Sequence, residues 1–85
     1  MKYIEFKDFI TKLGFKLDYS QHPSLHGNVF KYKNNFIRIH IYEDRFHFIN
    51  NDITIFDSFD KYYKLENIFI KELRYIKLKS LLNRM

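Results

Sequence analysis

Hydrophobic residues follow two different periods along the 85-residue chain. Near the start, apolar side chains recur every three or four residues, which places them on one face of a helix. This first apolar set comprises Phe6, Phe9, Ile10 and Leu13. Gly14 follows them, and glycine ends helices because it adopts the left-handed conformation at little cost. The pattern predicts an amphipathic helix over Tyr3–Leu13.

From position 29 to position 56 the period changes to two, which is the period of β-strands. The predicted strands are Val29–Lys33, Phe36–Tyr42, Arg45–Ile49 and Ile53–Phe56. Their turns are Asn34-Asn35, Glu43-Asp44 and Asn51-Asp52, and Asn and Asp tolerate the backbone of tight hairpins. Residues 20–27 are interpreted as a loop, and a short strand over Phe15–Tyr19 is an alternative that would add a fifth strand.

Two-residue turns predict a register for each hairpin. They set Lys31 opposite Arg38, His40 opposite His47, and Phe48 opposite Ile55. All three registers place the same apolar residues on one face, whereas a slip of one residue would scatter them over both faces. That face comprises Phe30, Tyr32, Ile37, Ile39, Ile41, Phe46, Phe48 and Ile55. The pattern therefore predicts a four-stranded antiparallel meander with one apolar face.

A second helical pattern begins near Asp57 or Ser58, either of which can cap it. One of its stripes would pack on the apolar sheet face beside the first helix. A second set, namely Ile68, Tyr75, Leu78 and Leu82, points away from that stripe. Either the helix breaks near Asn67 into a helix pair, or a partner such as a second copy covers this set. The predicted fold is α+β, in a single domain over residues 1–85.

The composition of the chain limits the classes of protein to which it can belong. A chain with 46% hydrophobic and 29% charged residues is expected to fold, and the lack of cysteine excludes disulfides and thiol catalysis. No apolar run is long enough to span a membrane, and no signal-peptide core is present near Met1. We therefore expect a cytoplasmic protein without a membrane partner. Phosphate-loop and cofactor motifs are missing, so no cofactor is expected.

The net charge of +5 favours a polyanionic partner, and the strand pattern indicates where it would bind. The face opposite the apolar one carries basic and aromatic side chains and no Asp or Glu within the strands. These residues are Lys31, Lys33, Phe36, Arg38, His40, Tyr42, Arg45, His47 and Phe56. They could bind a phosphate backbone and stack bases, or bind an acidic protein surface. A plain solvated sheet face is the third interpretation.

The histidines suggest a catalytic alternative. His40 and His47 are predicted to be cross-strand neighbours, and His26 lies in the preceding loop. Two imidazoles near a scissile phosphate can act as general base and general acid. A zinc site would need further ligands, and no carboxylate is placed with these histidines, so no metal is expected. Surface histidines without a catalytic role are the simpler interpretation.

Three features point to one family: the segment 7–15 with its Gly14-Phe15 pair, the Ser24-Leu25-His26 run, and the strand from Val29. In these features the chain resembles the HicA family of mRNA interferase toxins. That resemblance implies an α-β-β-β-α fold related to double-stranded-RNA-binding domains, and it places His26 at the family's catalytic histidine. In this chain Leu25 separates the Ser and the His. By size and organisation the chain also resembles small phage inhibitors, including some anti-CRISPR proteins.

The first expectation is a non-enzymatic binding module of phage or mobile-element type. Its partner would be nucleic acid or the acidic surface of a host nucleic-acid-handling protein, bound through the basic-aromatic face. The alternatives are a small ribonuclease toxin that uses His26 with His40 or His47, and an assembly protein that dimerises through its C-terminal helix.

Overall fold

The computed structural model describes residues 1–18 and 28–83. Helices precede and follow an antiparallel sheet of five strands, so the α+β class is confirmed. The strand beyond the four predicted lies at Lys16–Leu17, within the alternative strand over Phe15–Tyr19. The helices are α1 (Tyr3–Leu13), α2 (Tyr63–Ile68) and α3 (Ile70–Asn83). The strands are β1 (Lys16–Leu17), β2 (Val29–Tyr32), β3 (Asn35–His40), β4 (Arg45–Ile49) and β5 (Thr54–Ser58).

The five strands lie in sequence order, each antiparallel to its neighbour. The predicted register between β4 and β5 is confirmed, with Phe48 opposite Ile55. The other two predicted registers are wrong by two residues: Arg38 lies opposite Val29 on one side and His47 on the other. A shift of two residues keeps every side chain on its predicted face. The division into two faces therefore stands, while the neighbours on each face change.

Turn geometry explains both shifts. The turn between β2 and β3 is Lys33-Asn34, and Lys33 takes a left-handed φ of 53° there. The connection between β3 and β4 is longer than predicted, because Ile41–Glu43 form a 3₁₀ turn and Asp44 is the left-handed residue. These turns set Lys31 opposite Phe36 and His40 opposite Arg45.

The core lies between the helices and one side of the sheet, which we call the covered face. A stack of three rings forms its centre: the Phe6 ring lies 5.0 Å from that of Phe46 and 4.8 Å from that of Phe59. All three side chains are fully buried. Aromatic side chains bury large areas, so such a stack supplies much of the stabilisation of a small domain. The other buried residues are Ile10, Leu13, Phe15, Phe30, Ile37, Ile39, Phe48, Leu65 and Phe69.

Helix α1 has the predicted bounds and ends at Gly14, whose φ is 110°. The amide of Gly14 donates a hydrogen bond to the carbonyl of Thr11, which closes the last turn. A Cβ atom at Gly14 would lie 2.9 Å from Cε2 of Tyr32. Glycine is therefore required here both for its backbone conformation and for the close packing against Tyr32.

The C-terminal segment forms a helix pair, which was one of the two predicted arrangements. Helix α2 ends at Ile68, and α3 begins at Ile70 after the cap residue Phe69, so the break lies close to the predicted position near Asn67. The proposed caps are wrong: Asp57 and Ser58 belong to β5, and a 3₁₀ turn over Phe59–Lys61 separates them from α2. No residue of α3 is buried.

Candidate nucleic-acid interface

The sheet surface that faces away from the helices, here called the open face, has its side chains arranged in three rows across the strands. The first row is Lys16, Lys31, Phe36, Ile49 and Thr54. The second row is Val29, Arg38, His47 and Phe56. The third row is His40, Arg45 and Ser58. No strand residue of the open face in the described part of the chain is acidic.

The cations of the open face lie on a diagonal. Lys31 is in the first row on β2, Arg38 in the second row on β3, and Arg45 in the third row on β4. Strand spacing and rise put successive Cα atoms of this series about 8 Å apart. We call the line from Lys16 and Lys31 through Arg38 to Arg45 the cation diagonal. It forms a continuous positive track across the sheet.

Like charges meet at one end of this diagonal. Lys16 on β1 lies directly opposite Lys31 on β2, and both side chains are exposed. Like charges at opposed positions of a strand pair destabilise it. An anion bound between the two lysines would relieve this repulsion. The predicted register set Lys31 opposite Arg38 instead, but the observed register separates these two cations, and Lys16 was not among the predicted residues of this face.

Aromatic rings lie along one side of the cation diagonal. The Nζ of Lys31 is 5.6 Å from the centre of the Phe36 ring, and the Arg45 guanidinium carbon is 5.5 Å from that of Phe56. Phe56 keeps 48% of its surface exposed. Cations beside exposed rings are the combination that binds the backbone and the bases of an unpaired strand.

Two predicted members of the surface lie in turns rather than in strands. Lys33 is in the hairpin turn, where its Nζ lies 5.1 Å from the ring centre of Tyr32. Tyr42 is in the 3₁₀ turn after β3, and 86% of it is exposed. Both therefore lie at the margins of the open face, and the centre consists of Phe36, Arg38, His47 and Phe56.

His40 and His47 are not opposed across the strands, contrary to the prediction. His40 pairs with Arg45, and His47 pairs with Arg38. Each imidazole instead packs against Phe56, with ring centres 5.5 Å apart and the rings nearly perpendicular. His26 lies outside the described residues. In residues 1–18 and 28–83 no group of three or more His, Asp or Glu side chains could hold a metal ion.

Asp57 on β5 forms an ion pair with Lys64 on α2. The Nζ of Lys64 lies 2.6 Å from a carboxylate oxygen of Asp57. This hydrogen bond holds the pKa of the Asp57 carboxyl below its ordinary value and raises the pKa of Lys64. Asp57 points to the covered side, opposite Phe46, so its charge does not offset the cation diagonal.

The predicted dimer residues divide into two groups. Ile68 packs against the hydrophobic core, so it does not belong to an outward surface, contrary to the prediction. Tyr75, Leu78 and Leu82 on α3 are each more than half exposed. Four basic residues and Glu72 accompany them on α3; the basic ones are Lys71, Arg74, Lys77 and Lys79.

Comparisons with known proteins found no matching family, no matching curated protein and no matching solved structure. No helix within the described residues has the length and apolar character needed to cross a membrane.

Proposed function

We propose that this protein binds single-stranded nucleic acid through the open face of its sheet, without acting on it chemically. The cation diagonal is the observation that carries the proposal. Lys31 and Arg45 would contact phosphates, and the charge of Arg38 between them would strengthen the attraction for the backbone. The rings of Phe36 and Phe56 beside them would stack bases. Lys16 would extend this track to the edge strand.

The aromatic residues favour an unpaired strand over a duplex. In a duplex the faces of the bases are stacked on one another, so rings on a protein surface cannot reach them. An unpaired strand presents those faces, and every base has one, so stacking on Phe36 or Phe56 does not require a particular sequence. A duplex would use only the positive charge of the open face.

The helices support the proposal by leaving this side of the sheet uncovered. Antiparallel sheets commonly pack one face and leave the other to solvent. Here the solvent side holds half-exposed Phe56 and exposed Ile49, whereas a purely solvated face needs neither. Exposed apolar side chains among cations are typical of a binding surface.

Charge reversal of Arg38 tests the proposal. Arg38→Glu places a negative charge in the middle of the cation diagonal, so we expect the affinity for a fluorescent eight-nucleotide strand to fall at least tenfold. The salt dependence of binding should also weaken, because fewer counterions are released. Fluorescence anisotropy at several salt concentrations measures both effects.

Lys7→Glu is the matched control, since Lys7 is exposed on α1, on the other side of the molecule. It makes the same change in net charge as Arg38→Glu does. Equal losses of affinity in the two variants would show that only net charge matters and would contradict the proposed face. Failure of the native protein to bind any strand at low salt would contradict the function itself. An acidic protein partner would then be sought by a pull-down with and without nuclease.

A further inference from the structure

A small depression lies in the middle of the open face, on the cation diagonal. Its walls are Val29, Phe36, Arg38, His47 and Ile49, which come from three adjacent strands, and its volume is about 180 Å³. We call it the central pocket. Val29 and Ile49 were not among the predicted residues of this face, although the alternation of side chains along the strands puts both there.

The size of the central pocket limits what it can hold. Pockets for whole cofactors or drug-sized ligands enclose roughly 300–1,000 Å³. The central pocket is smaller than that, at about 180 Å³. It therefore suits one flat ring, with the rest of the ligand outside. Its apolar walls of Val29, Phe36 and Ile49 favour an uncharged ring over a phosphate, whose charge would lose hydration there.

Arg38 differs from the other cations of the diagonal in its surroundings. Lys31 and Arg45 are exposed, whereas Arg38 is half-buried between Val29 and His47. A guanidinium carries five N–H donors in a planar fork and no acceptor. It therefore pairs with a ring that presents carbonyl oxygens. Among the bases, uracil and thymine combine a single ring with two carbonyl groups, while adenine has none.

We propose that the central pocket holds one uracil or thymine base, with Arg38 donating hydrogen bonds to one of its carbonyl oxygens and Phe36 against its ring. This inference rests on the proposed function, because the base would arrive as part of a strand bound along the cation diagonal. It adds a preference among bases to a surface that otherwise contacts backbone and stacked rings. The exposed cations Lys31 and Arg45 hold the neighbouring phosphates.

The experiment separates the contribution of the base to affinity from that of the nucleic-acid backbone. The probes are eight-nucleotide DNA strands in which every position is abasic, or in which one central position carries thymine or adenine. All three have the same phosphate charge. We expect thymine to improve affinity by about fivefold or more over the abasic strand, the low end of one stacked base. Adenine should give less than half of that improvement.

Arg38→Lys keeps the positive charge and loses the planar fork. This substitution should remove most of the affinity that thymine adds, while the abasic strand still binds. Arg74→Lys is the matched control, because it makes the same change at an exposed position of α3, outside the open face, and the thymine advantage should persist. A ribose strand with uracil in place of thymine distinguishes RNA from DNA as the source of the base, and the same loss in Arg38→Lys supports the pocket for either.

Three results bear on the two proposals differently. An abasic strand that binds as tightly as the thymine strand overturns the pocket and leaves the proposed function standing. A thymine advantage that survives Arg38→Lys also overturns the pocket, because another residue then reads the base. If none of the strands binds at low salt, the proposed function fails, and the pocket fails with it.

Discussion

The two faces of the sheet are built from alternate residues of the same strands, but they differ in burial and in chemical character. In β4, Phe46 and Phe48 are fully buried against the helices, while Arg45 and Ile49 on the other side are exposed. Phenylalanine occurs on both faces. Phe46 stacks on another ring in the core, whereas Phe56 is surrounded by Arg45, His40 and His47.

This difference indicates that the residues that stabilise the fold are separate from those to which the proposed function assigns binding. The covered face excludes water and contributes the hydrophobic stabilisation of the fold. The exposed side chains of the open face, such as Arg45 and Phe56, bury less area, so replacing them should cost little stability. Mutations on the two faces should therefore be distinguishable in two measurements, the free energy of unfolding and the affinity for a single strand.

The largest expected effect compares two identical substitutions. Phe46→Ala removes a fully buried ring and should lower the free energy of unfolding by about 3–5 kcal/mol. Phe56→Ala removes a half-exposed ring and should cost about 1 kcal/mol or less. Urea denaturation measures both, and strand binding should fall only in Phe56→Ala once folding is confirmed. Similar losses of stability in both variants would show that the open face is buried in solution.

Gly14→Ala should have an intermediate effect, confined to stability. The left-handed backbone at φ 110° costs a residue with a Cβ about 1–2 kcal/mol, and the added methyl would also press on Tyr32. Tyr32 contacts Phe15 and Phe69, so the displacement affects the covered side. Thermal unfolding measures the loss. Weaker strand binding by the folded variant would argue that this edge of the molecule also contacts the ligand.

The smallest expected effect concerns the ion pair of Asp57 and Lys64. Because the pKa of Asp57 is lowered in the folded state, its contribution to stability is present above the unfolded pKa of about 4 and is lost as pH falls through the folded pKa. Lys64, whose pKa is raised, contributes below about pH 10.4 and loses its contribution as pH rises through its folded value.

Asp57→Asn should therefore lower the melting temperature at pH 7 slightly, and the gap to the native protein should close as the pH approaches about 2. Asp8→Asn, the same substitution on the exposed surface of α1, is the control. Strand affinity at pH 7 should be unchanged in both variants. A gap that stays constant with pH would mean that the ion pair does not form in solution.

The alternation of apolar and polar residues sufficed to predict which face each strand residue occupies, but not which residues are neighbours. A shift of two residues satisfies the same alternation, so Lys31 opposite Arg38 and Lys31 opposite Phe36 fit the pattern equally well. The choice depends on which residue takes the left-handed conformation in the turn. The expected turn residues were Asn34 and Asn35, whereas Lys33 takes the left-handed conformation. The cation diagonal follows from this choice and so was not predicted.

The C-terminal half shows a different limit. The pattern ended the last strand at Phe56, because Asp57 and Ser58 are typical of helix caps, whereas β5 extends to Ser58. Pairing with Phe46 and Arg45 holds them in β5 instead. Tertiary contacts therefore decided this boundary, and local sequence did not.

The strict division of the sheet also limits how the chain can change in length. Suppose that one residue were inserted in the Lys33-Asn34 turn and the strand pairing shifted by one residue to accommodate it. Cations would then move into the core and phenylalanines into solvent. An insertion of two would keep both faces and only slide one strand along its neighbour. Relatives of this protein should therefore tolerate hairpin length changes in even steps, and each such step would redirect the cation diagonal and with it the path of a bound strand.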